Sequence, residues 1–257
     1  LSKINDRTEL KTTINKFYTD INSNFLGKIK VIYTNYNYDY KTNTLSNNAK
    51  GFKKNENAIS AKLNRNFFNY NLKVYVTKNL LGDRLGDLIN LSIYSDRNKD
   101  FKYSLGLNIS SKHPGLYYES YNSGYSGANW INRITKTKVN NIFLNIKSNL
   151  IGNTRLDFRL IDNYTFFSLV SGNNNLIPVV TQNNSTIEYL KIKWQKEFNF
   201  GKFTFDNTLV YQKVSQDKDV LNVPEILTRN TIYYSNSILK GAMFFQTGVS
   251  IKYFPKY

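Results

Sequence analysis

The sequence contains no cysteine and a single histidine, His113. The absence of cysteine excludes disulfide scaffolds, thiolate zinc sites and cysteine nucleophiles. One histidine excludes multi-histidine metal sites and leaves little for histidine-based acid–base catalysis. We therefore predict that the protein is not an enzyme and carries neither a cofactor nor a metal.

Long apolar runs are missing as well, since no stretch approaches the roughly 18 apolar residues of a membrane-spanning helix. The N-terminal residues 1–6 lack the apolar region of a signal peptide, so any export signal is expected to have been removed or never present. With 4 prolines and 13 glycines, the composition fits neither a disordered chain nor collagen.

Aromatic residues are plentiful, with 20 tyrosines, 17 phenylalanines and 2 tryptophans in 257 residues. Tyrosine, phenylalanine, isoleucine, valine and threonine favour strands, whereas the many asparagines and few alanines disfavour long helices. The composition predicts long β-strands joined by asparagine-rich turns.

Apolar and polar residues alternate with a period of two over most of the chain, which is typical of amphipathic strands. Arg155, Asp157 and Arg159 share one side of such a segment and could not lie in a dry core without costly pairing. One face of the sheet is therefore expected to meet water. The opposite, apolar side carries Ile142, Leu144, Ile146, Leu156, Phe158, Leu160, Leu190, Ile192 and Trp194.

Two turns test this interpretation. A two-residue loop at 201–202 would place Phe200 opposite Phe203 and keep every apolar pair on one face, with Gly201 suiting a type II′ turn. A three-residue loop at 151–153, with Gly152 or Asn153 left-handed, would place Ile146 opposite Phe158. Both turns obey the same rule, which predicts an antiparallel meander.

Three architectures use such strands: a soluble sandwich or barrel, a β-solenoid and a transmembrane barrel. We find no fixed repeat for a solenoid, and strands of more than ten residues favour an all-β, antiparallel, up-and-down transmembrane β-barrel. Residues 1–257 are expected to form one domain, with 1–23 either an N-terminal strand or an arm. Loops are expected at 42–57, 121–129 and 171–185. Membrane-interface girdles are expected from Tyr33, Tyr36, Tyr38, Tyr40, Tyr233, Tyr234, Tyr253 and Phe254.

Several segments resemble the putative porin family of Bacteroidetes, most specifically between residues 203 and 254 and more diffusely from about residue 90. The segments are Tyr211–Gln212, Asn222–Asn230, Thr231–Tyr234, Ala242–Gly248 and Tyr253–Phe254, with weaker likeness at Tyr121–Asn122, Trp130 and Asn163–Tyr164. The resemblance implies an outer-membrane β-barrel of a Gram-negative bacterium with porin-like transport. Members of this family usually continue with further strands, so we expect the chain to be part of a longer barrel.

The polar side of the predicted strands supplies the candidate site. If the apolar face meets lipid, the other face lines a lumen in which lysine and arginine rings favour anions. The alternative is that these charges pair across strands and only solvate the interior. The candidate pore-lining residues are Lys147, Arg155, Asp157, Arg159, Lys191, Lys193 and Glu197.

The first functional hypothesis is an outer-membrane porin that lets small hydrophilic or anionic solutes diffuse through a net cationic lumen. The alternatives are a non-conducting barrel subunit or scaffold of a larger envelope assembly, and a soluble all-β glycan-binding module. The net charge of +17 is scattered along the chain, which disfavours nucleic acid as a partner. Lipid, lipopolysaccharide and envelope proteins are the expected partners.

Overall fold

The computed structural model describes residues 6–43, 50–82, 84–95, 100–124, 128–171 and 176–256. Of these residues 77% lie in strands, because β-branched and aromatic residues recur at alternate positions. The strands are β1 (Arg7–Ser23), β2 (Gly27–Asn43), β3 (Lys50–Phe67), β4 (Tyr70–Leu81), β5 (Asp87–Ser95), β6 (Phe101–Lys112), β7 (Ser120–Asn122), β8 (Asn129–Ile131), β9 (Thr137–Ser148), β10 (Gly152–Asp162), β11 (Thr165–Ser171), β12 (Leu176–Gln182), β13 (Ile187–Phe200), β14 (Phe203–Ser215), β15 (Ile226–Ile238) and β16 (Met243–Tyr253). One helical turn, α1 (Leu116–Glu119), and one 3₁₀ turn, Leu239–Gly241, complete the structure.

Twelve of the strands form one antiparallel sheet in the order β1-β2-β3-β4-β5-β6-β9-β10-β13-β14-β15-β16. This is the predicted up-and-down meander, interrupted by two insertions. The first insertion, residues 113–136, contains α1 and the β7–β8 pair; the second, residues 163–186, contains the β11–β12 hairpin. Within the described residues, β1 and β16 are the two edges and no ladder joins them, so the sheet is not closed into a barrel.

The sheet has one apolar face, and the strand registers show that it is continuous. Leu144 lies opposite both Leu105 and Leu156, and Leu156 in turn lies opposite Ile192. These side chains are not in a sealed core, since Ile142 is 52% exposed and Phe158 37% exposed. The apolar face also carries Ile29, Val31, Leu63, Val74, Ile89, Leu91, Ile93, Leu107, Ile109, Phe205, Leu209, Ile232, Val249 and Ile251.

The predicted turns are confirmed in part. Phe200 lies opposite Phe203, and φ is 60° at Gly201 but not positive at Lys202, as a type II′ turn requires. The second predicted register is wrong: Ile146 lies opposite Thr154 rather than Phe158, and the three-residue loop is 149–151. The observed pairing differs from the predicted one by four residues, and a shift by an even number of residues keeps every side chain on the same face. Matching apolar residues across the turn therefore could not detect this error.

Two other expectations are corrected. Several residues expected in loops belong to strands: 42–43 to β2, 50–57 to β3, 121–122 to β7 and 176–182 to β12. Tyr36, Tyr38, Tyr40 and Tyr233 do not form a girdle, because they fall on the polar face, where Tyr38 and Tyr40 are buried. Tyr33 does resemble a girdle residue. It follows Ile29 and Val31 on the apolar face of β2, and its hydroxyl donates to Asn57 Oδ1 at 2.9 Å, so the ring has an apolar body and a polar tip.

The two ends of the sheet differ in their connections. Short turns at 24–26, 68–69, 149–151 and 201–202 lie at one end, which we call the short-turn end. Both insertions and the 216–225 segment lie at the other, which we call the long-connection end. None of the helices in the described ranges has the length and apolar character needed to span a bilayer.

Candidate solute-facing surface

The face opposite the apolar one, here called the polar face, contains all seven predicted pore-lining residues. Asp157 lies opposite Lys191, and Arg155 lies opposite Lys193. Lys147 lies opposite Lys102 and Asn153, and Glu197 opposite Asp206. The alternation in the sequence therefore placed these residues on one face of the sheet.

Asp157 is the centre of a charge cluster on the polar face. Its carboxylate is 3% exposed and accepts from Arg155 Nε at 2.7 Å and Nη2 at 2.9 Å. Arg159 lies 3.6 Å away, and Asn141 Nδ2 donates at 3.3 Å. The arginines pair with Asp157 along one strand, because residues two apart share a face. Other ion pairs of the polar face, Lys28 with Asp20 and Arg229 with Asp206, cross strands as the alternative hypothesis expects.

Cations dominate the polar face. Among the described strand residues, they outnumber acidic residues about threefold on this face. The cations are Lys16, Lys28, Lys30, Lys54, Lys62, Lys73, Lys102, Lys112, Lys147, Arg155, Arg159, Lys191, Lys193, Arg229 and Lys252; the acidic residues are Asp20, Glu56, Asp157, Glu197 and Asp206. Such an excess of fixed positive charge attracts anions.

The first insertion folds back over the polar face at the long-connection end. The Tyr40 hydroxyl donates to the Ser120 carbonyl at 3.0 Å, which joins β2 to a segment 80 residues later in the chain. Asp6, just before β1, accepts from the Gly124 amide at 2.8 Å. The insertion therefore spans from β6 to the far edge strands of the sheet and covers part of the polar face.

A buried charge network fixes the base of this insertion. Glu56, which is fully buried, accepts from the backbone amides of Arg84 and Leu85 and from the Tyr38 hydroxyl. Arg84 forms an ion pair with Glu119, and His113 Nδ1 lies 3.1 Å from the same carboxylate. Buried charges of this kind persist only when each has partners.

Several of these residues were missed by the sequence analysis, which placed residues 50–57 in a loop and gave Tyr38 and Tyr40 a girdle role. A usable signal was present, because Tyr38 and Tyr40 have the same parity as Lys28 and Lys30, which occupy the polar face. Glu119 and Arg84 gave no such signal, since their contact depends on how the insertion folds.

Aromatic side chains join the two insertions. Phe167 in β11 packs against Tyr118 and Trp130, with ring centroids 5.0 and 5.6 Å apart. Trp130 Nε1 also donates to the Tyr117 carbonyl at 2.7 Å. Tyr118 lies outside the sheet, and burial raises its pKa to about 12. Within the described ranges no group of three or more His, Cys, Asp or Glu side chains could hold a metal ion.

Comparisons with known proteins agree with this architecture. A family model described as "Putative porin" matches residues 1–257. None of the proteins of curated function matches the sequence.

Among solved structures, the copper transporter OprC has a TM-score of 0.66 and 10% identity, covering 90% of this chain and 42% of that one. The siderophore receptor PirA from Pseudomonas aeruginosa has a TM-score of 0.64 and 13% identity, covering 96% and 49%. PirA from Acinetobacter baumannii has a TM-score of 0.59 and 15% identity, covering 89% and 40%. These outer-membrane β-barrels share the fold, and this chain spans less than half of their length.

Proposed function

The chain belongs to the family described as "Putative porin", and we propose a function on that basis. The protein lets small hydrophilic solutes diffuse passively through an outer-membrane barrel with a net cationic lumen. The family and the structural neighbours give a porin-like outer-membrane β-barrel. Passive diffusion and the cationic lumen are the steps that we add. In this proposal the chain contributes its twelve strands to the barrel wall.

The observation that carries the proposal is the separation of the two faces of the sheet. Apolar side chains such as Leu107 and Ile142 are half-buried or exposed on one face, which the acyl chains of a bilayer would cover. The polar face holds the cation excess described above. A soluble glycan-binding module would instead bury its apolar face in a core.

The ends of the sheet suggest an orientation. Outer-membrane barrels have short periplasmic turns and longer extracellular loops. We therefore place the short-turn end in the periplasm and the insertions at the cell surface. The apolar band would contact outer-membrane lipid and lipopolysaccharide acyl chains.

Planar-bilayer recording with unequal KCl concentrations on the two sides tests both steps. We expect discrete conductance steps. The reversal potential should have the same sign as the equilibrium potential of chloride, because lysines and arginines outnumber acidic residues on the polar face. A cation-selective reversal potential would contradict the cationic lumen. The absence of conductance from a folded preparation would contradict passive diffusion.

One observation favours a second candidate, a barrel that conducts nothing and serves as a subunit of an envelope assembly. The first insertion already covers part of the polar face, and aromatic contacts bind it to the second insertion. If the first insertion filled the lumen, solutes could not pass. The aromatic side chains that join the two insertions, Tyr118, Trp130 and Phe167, would then be available to a partner protein. A folded but silent barrel in bilayers, combined with recovery of an envelope protein after cross-linking in intact cells, would support this reading.

A further inference from the structure

A large recess on the polar face lies near the short-turn end and away from both insertions. Its volume is about 840 Å³, which is within the usual size range of small-molecule sites. Strands β1 to β5 line one side of this recess and Phe143 of β9 the other. The Phe143 ring is accommodated because Gly106 lies directly opposite it and has no side chain.

Four lysines line this recess. Lys28 pairs with Asp20, and we call the other three the lysine triad: Lys30, Lys62 and Lys73. Lys30 and Lys62 are direct cross-strand partners on β2 and β3. Lys73 lies on β4 opposite Asn64, two residues from Lys62 along the same face. Residues in these relationships have Cβ atoms roughly 4.5–8 Å apart, and like charges at such positions repel.

The carboxylates nearby do not balance the triad. Asp20 forms its shorter contact, 3.0 Å, with Lys28 and a longer one, 4.0 Å, with Lys30. Lys62 and Lys73 have no carboxylate partner in the described part of the chain. Their ammonium groups lie instead over tyrosine rings, Lys62 over Tyr75 at 5.0 Å and Lys73 over Tyr94 at 4.7 Å.

A cation–π contact at an exposed site is weak, whereas hydrogen bonds between ions are about twice as strong as neutral ones. An anion entering the recess would therefore draw the ammonium groups away from the rings. It would also remove the repulsion between Lys30 and Lys62. A solute with two or more negative charges satisfies several members of the triad at once, which a monovalent anion does not.

We propose that the lysine triad forms a binding subsite for oligoanionic solutes, meaning small molecules that carry two or more carboxylate or phosphate charges. The inference rests on the proposed function, because it requires the polar face to be open to solutes. The tyrosine hydroxyl of Tyr75 and the amides of Asn64 and Asn90 line the same recess and supply neutral hydrogen bonds.

Isothermal titration calorimetry of the whole protein in uncharged detergent tests the subsite. Citrate and pyrophosphate are titrated separately at low salt, so that the two arms distinguish a carboxylate site from a phosphate site. We expect saturable binding of one probe or both. The double variant Lys62→Gln/Lys73→Gln should weaken that binding at least tenfold, because it removes two of the three convergent cations.

The matched control is Lys112→Gln/Lys252→Gln, which removes the same charge from two other lysines of the polar face, on β6 and β16. These two residues lie outside the recess, so the control should change the affinity less than threefold. Equal weakening in both variants would show a net-charge effect and would overturn the proposal, as would the absence of saturable binding to the unmodified protein. Lys62→Arg/Lys73→Arg, which keeps the charges, should retain binding and shows that lost affinity is not lost folding.

Conductance measured on the same preparations separates this inference from the proposed function. Binding without conductance would support the subsite and contradict passive diffusion. Conductance without binding would support diffusion and contradict the subsite.

Discussion

Asp157 accepts two hydrogen bonds from the Arg155 guanidinium, Nε to Oδ2 at 2.7 Å and Nη2 to Oδ1 at 2.9 Å, although the two residues lie on one strand. This paired geometry is the strongest form of contact between arginine and a carboxylate. It leaves Arg159 with only a longer contact at 3.6 Å. The central charges of β10 are therefore organised along the strand and retain a net positive charge.

Replacing Asp157 with asparagine should lower the free energy of unfolding by about 1–3 kcal/mol, because a buried hydrogen-bonded acceptor is lost and two arginines repel each other. Denaturant titration in lipid vesicles, followed by tryptophan fluorescence, measures this change. Asp206→Asn is the control: it removes the same charge, but Asp206 is 35% exposed and lies 3.7 Å from Arg229. An effect as large as that of Asp157→Asn would contradict the prediction, since exposed pairs contribute about 0–1 kcal/mol.

Adjacent residues of β6 test the assignment of the two faces. Leu107 lies on the apolar face opposite Leu91 and Ile142, and Asn108 lies on the polar face opposite Asn90 and Asn141. Leu107→Arg should destabilise the protein in vesicles by about 2–4 kcal/mol if the residue lies near the bilayer midplane. Asn108→Arg should change the stability by less than about 1 kcal/mol. The reverse order would mean that the faces have been assigned the wrong way round.

Glu56 should control the protection of the turn that follows β4. Its carboxylate accepts from the amides of Arg84 and Leu85, and the Arg84 side chain is 10% exposed. Glu56→Gln removes the charge from these hydrogen bonds, so trypsin should cleave after Arg84 about tenfold faster, corresponding to about 1.4 kcal/mol of local stability. Cleavage after Arg133, which is already exposed, is the internal reference. Unchanged cleavage at Arg84 relative to Arg133 would show that Glu56 does not hold this turn.

Gly106 and Phe143 should be energetically coupled. A Cβ atom at residue 106 would clash with the Phe143 ring and would lie 2.9 Å from the Leu91 carbonyl oxygen. Gly106→Ala is therefore expected to cost about 1–3 kcal/mol of unfolding free energy through overpacking. In the Phe143→Ala background the same substitution should cost less, because only the backbone contact remains. Additive effects in the double-mutant cycle would show that the two residues do not meet.

The sequence predicts the meander and the two faces because alternation is a local property that each strand displays by itself. Register is less local: the 201–202 turn was predicted correctly, but any even shift satisfied the face rule at 149–151. β1 was uncertain for a physical reason, since Ile14 lies on its polar face and Phe17 on its apolar face. At an edge of the sheet, both residues are more than half exposed and the pattern is weak.

The candidate site follows the same division. Parity placed Lys147, Arg155 and Lys193 on one face, because that requires only the strand period. The network of Glu56, Arg84 and Glu119 depends on contacts between segments that are far apart in the chain, which no local pattern encodes. The lysine triad is predictable in part. The alternation in the sequence places each lysine on the polar face, but only the registers of β2, β3 and β4 bring the three lysines next to one another.

The contact between Tyr40 and Ser120 has a consequence for the order of folding. Most neighbouring strands of the meander are linked by short connections whose closure costs little entropy, whereas this contact closes a loop of 80 residues. Low contact order favours rapid hairpin-by-hairpin growth of the wall, and seating of the insertion requires β2 and β6 to be already in place. We therefore expect folding in two stages, in which the sheet forms first and the first insertion docks onto its polar face afterwards.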